Sequence, residues 1–185
     1  MIDLQNKTIK AITIVEPWAS LIACGAKKIE TRSWSTQYRG PIAIHAGKHF
    51  FSPWASELPD NFPKLPASIL WPEDNDMGAL ADNWNELPRG NVIAIADLVD
   101  CLMIEKESDT VILVRLYKPS YGISRDGKRY QHPQMCSIKP LTDEQELAFG
   151  DFTAGRYAWM LENVRRIDPV PAKGMQRLWN WKMPT

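Results

Sequence analysis

Residues 16–48 read EPWASLIACGAKKIETRSWSTQYRGPIAIHAGK, and this stretch holds the clearest structural signals in the chain. Its first part predicts a short helix. Pro17 suits a first helical turn, and Trp18 and Leu21 recur at helical spacing. Gly25 follows where a left-handed residue would end such a helix. A compact helix-then-strand unit is therefore expected near the start of the chain.

Strand-like runs lie on both sides of this helix. The α+β pattern also includes a short second helix, because Thr142 and Gln145 fit a capping box that opens a helix through about Phe149. Five or six strands with few helices predict a closed or nearly closed small barrel. Runs of β-branched or alternating apolar residues occur at 10–15, 28–34, 41–46, 91–104, 111–117 and 157–167.

Two segments interrupt the strand pattern. Residues of about 51–90 are rich in proline and acidic side chains, which predicts an inserted lobe with one short helix near 77–87. Residues of about 118–139 are polar, basic and rich in turn formers, which predicts a long loop. The chain as a whole, residues 1–185, is of a length that predicts a single domain with one core.

The composition indicates a soluble globular protein, with 44% hydrophobic and 24% charged residues. No stretch approaches the roughly 20 apolar residues of a membrane span, and the N-terminus lacks the apolar core of a secretory signal. We therefore expect a cytoplasmic protein with no membrane partner. Cys24, Cys101 and Cys136 are widely spaced, which argues against a disulfide scaffold and a structural zinc site. No cofactor is expected.

The formal net charge is zero, but the charges are unevenly distributed. Residues 1–55 carry seven basic and three acidic side chains, and residues 110–139 carry six and one. Residues 56–109 carry three basic and twelve acidic side chains. Two positive segments that fold together would form a basic face able to contact phosphates. The alternative is a solvated surface on which the charges group by accident.

Three ordered blocks resemble the ASCH family, a group of domains named for a homology region of a transcription coactivator. The first block contains PWASLI, then G-x-K-x-x-E-x-R at Gly25, Lys27, Glu30 and Arg32, then SW, YRG and IHAGK. The second is VIAIADLVDCL. The third, GDFTAGRYAWMLENVRRIDPVPAKG followed by LWNW, resembles the bacterial and phage branch. The resemblance implies a small PUA-like β-barrel of five to six strands with a few short flanking helices.

The resemblance also implies a cleft beside the first helix with nucleic-acid-related work. Lys27 follows the predicted helix, and Glu30 and Arg32 point the same way on the next strand. Lys27 would meet a phosphate or polarise a carbonyl, Glu30 would accept from an exocyclic amine or act as a general base, and Arg32 would bind phosphate bidentately. The alternative is an ion pair, Glu30 with Arg32 or Lys27 with Glu30, that holds the helix–strand junction.

Further side chains near these strands are candidates for the same cleft. Trp18 and Trp34 are suited to stack on bases, although tryptophans at such positions also serve as core. Tyr38, Arg39 and Lys48 are candidate phosphate contacts, with solvated loop residues as the alternative. The tryptophans expected only to pack are Trp84, Trp159, Trp179 and Trp181.

His45 and His49 are four residues apart, a spacing that suits paired metal ligands on a helix. Here they lie at the end of a predicted strand, where their side chains need not converge. No metal site is expected from them.

Two main functions remain open at this point. The first is a binding module that holds RNA or a modified nucleoside over Lys27, Glu30 and Arg32. The second is an enzyme, because some small bacterial family members resemble amidohydrolases that deacylate N4-acetylcytidine with a Lys, a Thr and a Glu. Lys27 aligns with that lysine, but Glu30 stands at the threonine position. A ribonuclease using Lys27 and Glu30 is a further alternative, and an adaptor that contacts proteins through the acidic insertion is another.

Overall fold

The computed structural model describes residues 8–50, 87–116, 121–123, 126, 128–131 and 136–184. Most of the acidic insertion, with the helix predicted at 77–87 and Trp84, lies outside these residues. The described elements, in chain order, are β1 (Thr8–Glu16), α1 (Trp18–Ala23), β2 (Ile29–Arg32), β3 (Gly40–Phe50), β4 (Asn91–Glu107), β5 (Thr110–Leu116), β6 (Tyr121–Ile123), β7 (Arg129–Gln131), β8 (Cys136–Leu141), α2 (Glu144–Ala148), β9 (Tyr157–Pro171) and β10 (Leu178–Lys182).

Eight of the described strands form one sheet. Its order is β10-β1-β3-β4-β5-β8, and β9 pairs with both β4 and β2. β1 and β3 run parallel, whereas the other pairs in this sheet are antiparallel. β4 is the organising strand, because its 17 residues pair with β3, β5 and β9 in turn. β6 and β7 form a separate two-stranded hairpin.

The prediction of a five- to six-stranded barrel is confirmed only in part. The α+β class holds, since strands dominate and both helices are short. The sheet, however, has eight strands and is not closed: within the described ranges, β10, β8 and β2 each pair with a single neighbour. β4 bends instead through register shifts against β9 at three places, which lets one long strand serve three partners.

The prediction of one long loop at 118–139 is wrong where the structure describes it. β6, β7 and the start of β8 lie in this segment. The run CSIKPL of β8 contains a proline and few β-branched residues, so its local signal is weak. Antiparallel pairing with β5 over six residues stabilises β8 as a strand despite its weak local propensity.

The helix predicted after Pro17 is confirmed, and its core contacts explain it. α1 buries five of its six residues against the sheet. Gly25 ends it with a φ of 81°, a left-handed conformation that glycine adopts without a steric penalty. At the other end the buried carboxylate of Glu16 accepts hydrogen bonds from Ser20 N and Ser20 Oγ at 3.0 and 2.9 Å. The same burial raises the pKa of Glu16.

The second helix is confirmed, but its predicted cap is wrong. The residue at the N-cap is Asp143, whose Oδ1 accepts from Gln145 N at 3.0 Å and Glu146 N at 3.2 Å. Aspartate caps at least as well as threonine, and here it lies one residue closer to the helix. The Gln145 side chain donates instead to Ala26 O at 3.2 Å. This contact ties α2 to the loop that follows α1.

Candidate functional site

A cavity of about 390 Å³ opens beside α1, and we call it the α1 cavity. It lies where β1, the loop from α1 into β2, and the residues after α2 meet. Four charged side chains reach it, Lys27, Glu30, Arg32 and Asp151, together with Trp18. The other lining residues are Ile14, Val15, Thr31, Ala148, Phe149 and Gly150. Three residues of the G-x-K-x-x-E-x-R pattern therefore line one cavity.

Lys27 forms a buried wall of the α1 cavity. Only 1% of it is exposed, and its Nζ donates to Phe149 O at 2.9 Å. Burial lowers the pKa of Lys27, and the carboxylates of Glu30 and Glu146 oppose that shift. A lysine whose pKa is lowered in this way serves either as a hydrogen-bond donor or as a group that can take up a proton.

Glu30 and Arg32 form the ion pair that the sequence leaves as an alternative. Arg32 Nε lies 3.0 Å from Glu30 Oε1 without the geometry of a hydrogen bond. Arg32 Nη2 donates to Thr13 O at 2.8 Å, which fixes the guanidinium against β1. Among the described residues, Lys27 has no ion pair with Glu30. Because both members of the pair also line the α1 cavity, pairing and ligand contact are compatible here.

Glu146 on α2 does not line the α1 cavity, but it positions the residues at the start of β2 that do. Its buried carboxylate accepts hydrogen bonds from the backbone N–H groups of Lys28 and Ile29, the latter at 3.1 Å. Burial raises the pKa of Glu146, while the hydrogen bond from Lys28 and the charge of Lys27 oppose the shift. The hydrogen bonds from Lys28 and Ile29 to Glu146 join α2 to the start of β2. Phe149 directly follows α2, and its carbonyl oxygen thereby lies within hydrogen-bond distance of Lys27 Nζ.

Asp151 places a second carboxylate at the cavity. Its backbone N–H donates to Thr31 Oγ1 at 3.2 Å, which positions the segment after α2. Partial burial alone would raise the pKa of Asp151, but hydrogen bonds from Thr153 and the charge of Arg156, 3.2 Å away, hold it below its usual value. The α1 cavity thus presents charges of both signs.

A second depression of about 700 Å³ adjoins the first, and we call it the basic groove. Val15 and Arg32 line both. Among the described residues, the groove lining includes no aspartate or glutamate. Its cations are Arg32, Lys48, Lys173 and Arg177, and its rings are Trp34, His45 and His49; Ile12, Thr13, Gly47, Gly174, Met175 and Gln176 complete it.

Trp34 is half-buried between the core and the groove. Its ring meets Trp159 edge-on, with centroids 4.6 Å apart, and its carbonyl accepts from Trp159 Nε1 at 3.3 Å. The Arg177 guanidinium carbon lies 5.8 Å from the Trp34 centroid, within cation–π range. Arg177 has a φ of 58°, a left-handed conformation that a side chain with a β-carbon adopts at a cost. The packing and ligand-facing interpretations of Trp34 are both compatible with this position.

His45 lies at the floor of the groove and is 1% exposed. Its Nε2 donates to Ala172 O at 3.1 Å, because a carbonyl can only accept. Its Nδ1 is buried and, within the described part of the chain, has no hydrogen-bond partner. Burial lowers the pKa of His45. A β-carbon at Gly174 would lie 2.5 Å from His45 Cε1, so glycine alone lets this segment pass over the ring.

Two predicted ligand contacts lie elsewhere. Neither Tyr38 nor Arg39 lines the α1 cavity or the basic groove. The Tyr38 hydroxyl donates to Pro41 O, and Arg39 pairs with Asp100 at 3.0 Å. Asp100 also pairs with Arg115.

The tryptophans that the structure describes differ in burial. Trp18 is half-buried, packs against the core and lines the α1 cavity. Trp159, Trp179 and Trp181 are buried packing residues. Among the described residues, no group of three histidine, cysteine, aspartate or glutamate side chains is placed to hold a metal ion.

Sequence reasoning missed several residues that line or support the two depressions. Glu146 looks like a surface residue of a short helix, and Asp151, Lys173 and Arg177 lie more than a hundred residues from Lys27 along the chain. The one available signal was the third family-like block, which contains Asp151 and Lys173 and has Arg177 between its two quoted parts. Nothing in that block distinguishes ligand-facing residues from packing residues.

The chain is similar to known proteins of one domain family. A family model described as the ASCH domain matches residues 12–171. Activating signal cointegrator 1 from Homo sapiens and from Mus musculus is in each case 34% identical over 92 residues. The match covers 49% of this chain but 14% of those relatives, so the chain corresponds to a small part of their length. Across the described residues, neither helix has the length and apolar character that crossing a membrane requires.

Proposed function

We propose that this chain, which belongs to the ASCH domain family, binds RNA or a modified nucleoside through the α1 cavity. One observation carries the proposal: Lys27, Glu30 and Arg32 line a single cavity together with the half-buried ring of Trp18. The volume of about 390 Å³ is that of a small-molecule site.

The cavity chemistry suits the edge of a nucleobase better than a phosphate alone. A base edge carries both donors and acceptors, and the cavity offers carboxylates at Glu30 and Asp151 beside cations at Lys27 and Arg32. A lone phosphate would meet repulsion from the two carboxylates. We assign Glu30 to an exocyclic amine, Lys27 to a carbonyl oxygen and Trp18 to the face of the ring.

Substitution of Glu30 by glutamine tests this proposal. The change removes the negative charge and leaves an amide of nearly the same shape at the cavity. We expect the affinity for short single-stranded RNA, measured by fluorescence anisotropy, to fall about tenfold, which corresponds to about 1.4 kcal/mol. Free nucleosides, including N4-acetylcytidine, serve as competitors in the same assay.

Glu144→Gln is the matched control, because Glu144 is exposed on α2 and does not line the cavity. Its affinity should equal that of the wild type. If neither RNA nor a nucleoside binds the wild-type protein, or if the two variants bind alike, the proposal fails.

Lys27 supports a second candidate function, hydrolysis. Its lowered pKa and its position at the cavity beside Glu30 suit a group that takes up a proton from an attacking water or from a ribose 2′-hydroxyl. In deacylation, water would add to the acyl carbon of an N4-acylated cytidine, and the carbon–nitrogen bond would break to release a carboxylate and cytidine. In ribonuclease action, the 2′-hydroxyl would attack the adjacent phosphorus and release the 5′-hydroxyl.

Product analysis separates hydrolysis from binding. N4-acetylcytidine and a short RNA are incubated with wild-type protein and with Lys27→Met, and the products are resolved by liquid chromatography. Turnover by the wild type that Lys27→Met abolishes supports an enzyme. The absence of product from both substrates would contradict hydrolysis and leave the binding function.

A further inference from the structure

The basic groove continues from the α1 cavity. Both are lined by Val15 and by Arg32, whose guanidinium is held by Thr13 O. A ligand that fills the cavity beside Arg32 therefore lies next to the groove. The groove is also the larger of the two, at about 700 Å³ against about 390 Å³.

The groove differs from the cavity in the sign of its charge. Lys48, Lys173 and Arg177 are exposed there, and within the described part of the chain none of them pairs with a carboxylate. With Arg32 they give four cations along one depression and no acidic side chain among its described residues. Such an arrangement attracts an anion with several charges, because a single small anion would engage few of the cations.

The positively charged side chain of Arg177 is positioned by its neighbours in the groove. Arg177 lies over the Trp34 ring, and its backbone keeps the left-handed conformation despite the β-carbon. Gly174 lets the segment from Lys173 to Arg177 pass directly over His45. The His45 ring is buried beneath this segment and its Nε2 donates to Ala172 O, so it supports the groove from below.

From these observations we infer that the basic groove binds the phosphodiester backbone of a single-stranded nucleic acid, one base of which occupies the α1 cavity. The inference rests on the proposed function and extends it, because it makes the ligand a polynucleotide and not a free nucleoside. The strand must be single where it binds, since a base enters a cavity only when it is unpaired and unstacked. The cavity reads the base, and the groove contacts the phosphates that flank it.

A triple variant, Lys48→Gln, Lys173→Gln and Arg177→Asn, tests the inference. Asparagine at 177 tolerates the left-handed backbone, and all three positions are exposed, so the protein should remain folded. The matched control removes three exposed lysines outside both depressions, in Lys106→Gln, Lys139→Gln and Lys182→Gln. Circular dichroism and urea unfolding of both variants verify folding.

The measured quantity is the affinity for a labelled single-stranded RNA of about eight nucleotides at several salt concentrations. Each lost phosphate contact lowers the slope of log affinity against log salt by about 0.7 for single strands, so the triple variant should lose about two units of slope. Its affinity should fall about tenfold or more, whereas the control should match the wild type. Its affinity for a free nucleoside that the wild type binds should not change.

Other outcomes would overturn the inference in distinguishable ways. RNA binding that Glu30→Gln weakens but the triple variant leaves unchanged, with the same salt slope, would remove the groove and keep the cavity. Equal affinity of the groove for inorganic tripolyphosphate and for RNA would show a general polyanion site in place of a nucleic-acid site. A wild-type protein that binds neither RNA nor nucleoside would remove the inference together with the proposed function.

Discussion

The α1 cavity and the basic groove share Arg32, yet they are built in opposite ways. In the cavity, Lys27 and Glu30 are almost fully buried, and charges of both signs compensate one another. In the groove, Lys48, Lys173 and Arg177 are exposed and all carry the same sign. A buried charge must be compensated if the protein is to fold, whereas an exposed charge costs little. For the proposed function we therefore expect selectivity to come from the cavity and salt-dependent affinity from the groove.

The largest effect that sharpens this comparison is expected for Lys27→Met. Methionine fills a similar volume but cannot donate to Phe149 O, so the buried hydrogen bond between Lys27 Nζ and that carbonyl is lost. We expect the free energy of unfolding, measured with urea, to fall by about 1–3 kcal/mol. Its exposed neighbour provides the control, and Lys28→Met should change stability by less than about 0.5 kcal/mol. Equal effects of the two substitutions would contradict the buried role of Lys27.

The pH dependence of stability tests the role of Glu146, whose buried carboxylate joins α2 to the start of β2. Because burial raises the pKa of Glu146 above its ordinary value of 4.5, the folded state holds the proton more tightly than the unfolded state does. The stabilisation from this group is thus present below about pH 4.5 and is lost as the pH rises through the raised value. Urea unfolding should show the stability of wild type relative to Glu146→Gln declining from pH 4 to pH 7. A difference that stays constant or grows would contradict the assignment.

A smaller effect separates stability from binding in the groove. Arg177→Gly relieves a left-handed backbone, which offsets the greater freedom of glycine in the unfolded chain, so stability should stay equal or rise by up to about 1 kcal/mol. RNA affinity should nevertheless fall about threefold, because one phosphate contact is lost. Ser108, with a φ of 54°, provides the control: Ser108→Gly should affect stability alone. Unchanged RNA affinity in Arg177→Gly would remove this residue from the groove's function.

The smallest effect is expected for Arg39→Gln. The side chain lies outside both depressions and pairs with Asp100 at the surface. Stability should change by less than about 0.5 kcal/mol, and RNA affinity by less than about twofold. A tenfold loss of affinity in the anisotropy assay would show that the ligand extends beyond the cavity and the groove.

The local signals of the sequence predicted the first helix and the strands around it. Pro17, Gly25 and the helical spacing of the apolar residues define α1, and β-branched runs define β1, β3, β4 and β5. The open, eight-stranded arrangement was not predictable in this way. It depends on the pairing of β4 with three partners and on β8, whose own sequence gives a weak strand signal.

The candidate site was predictable to the extent that it is local. Lys27, Glu30 and Arg32 occur within six residues, and strand parity places two of them on one face. Phe149, Asp151, Lys173 and Arg177 reach the same region through long-range contacts of α2 and of the segment between β9 and β10. Arg39 was misplaced because proximity in sequence to a site does not fix the direction of a loop side chain.

The central claim is that a base binds beside Lys27. Its most direct test is a fluorescence anisotropy titration of a short labelled single-stranded RNA against wild type, Lys27→Met and Lys28→Met, each verified as folded, at about 50 mM and about 200 mM salt. We predict that Lys27→Met weakens binding about tenfold or more at both salt concentrations and that Lys28→Met binds like wild type. Equal binding by all three proteins would contradict the claim.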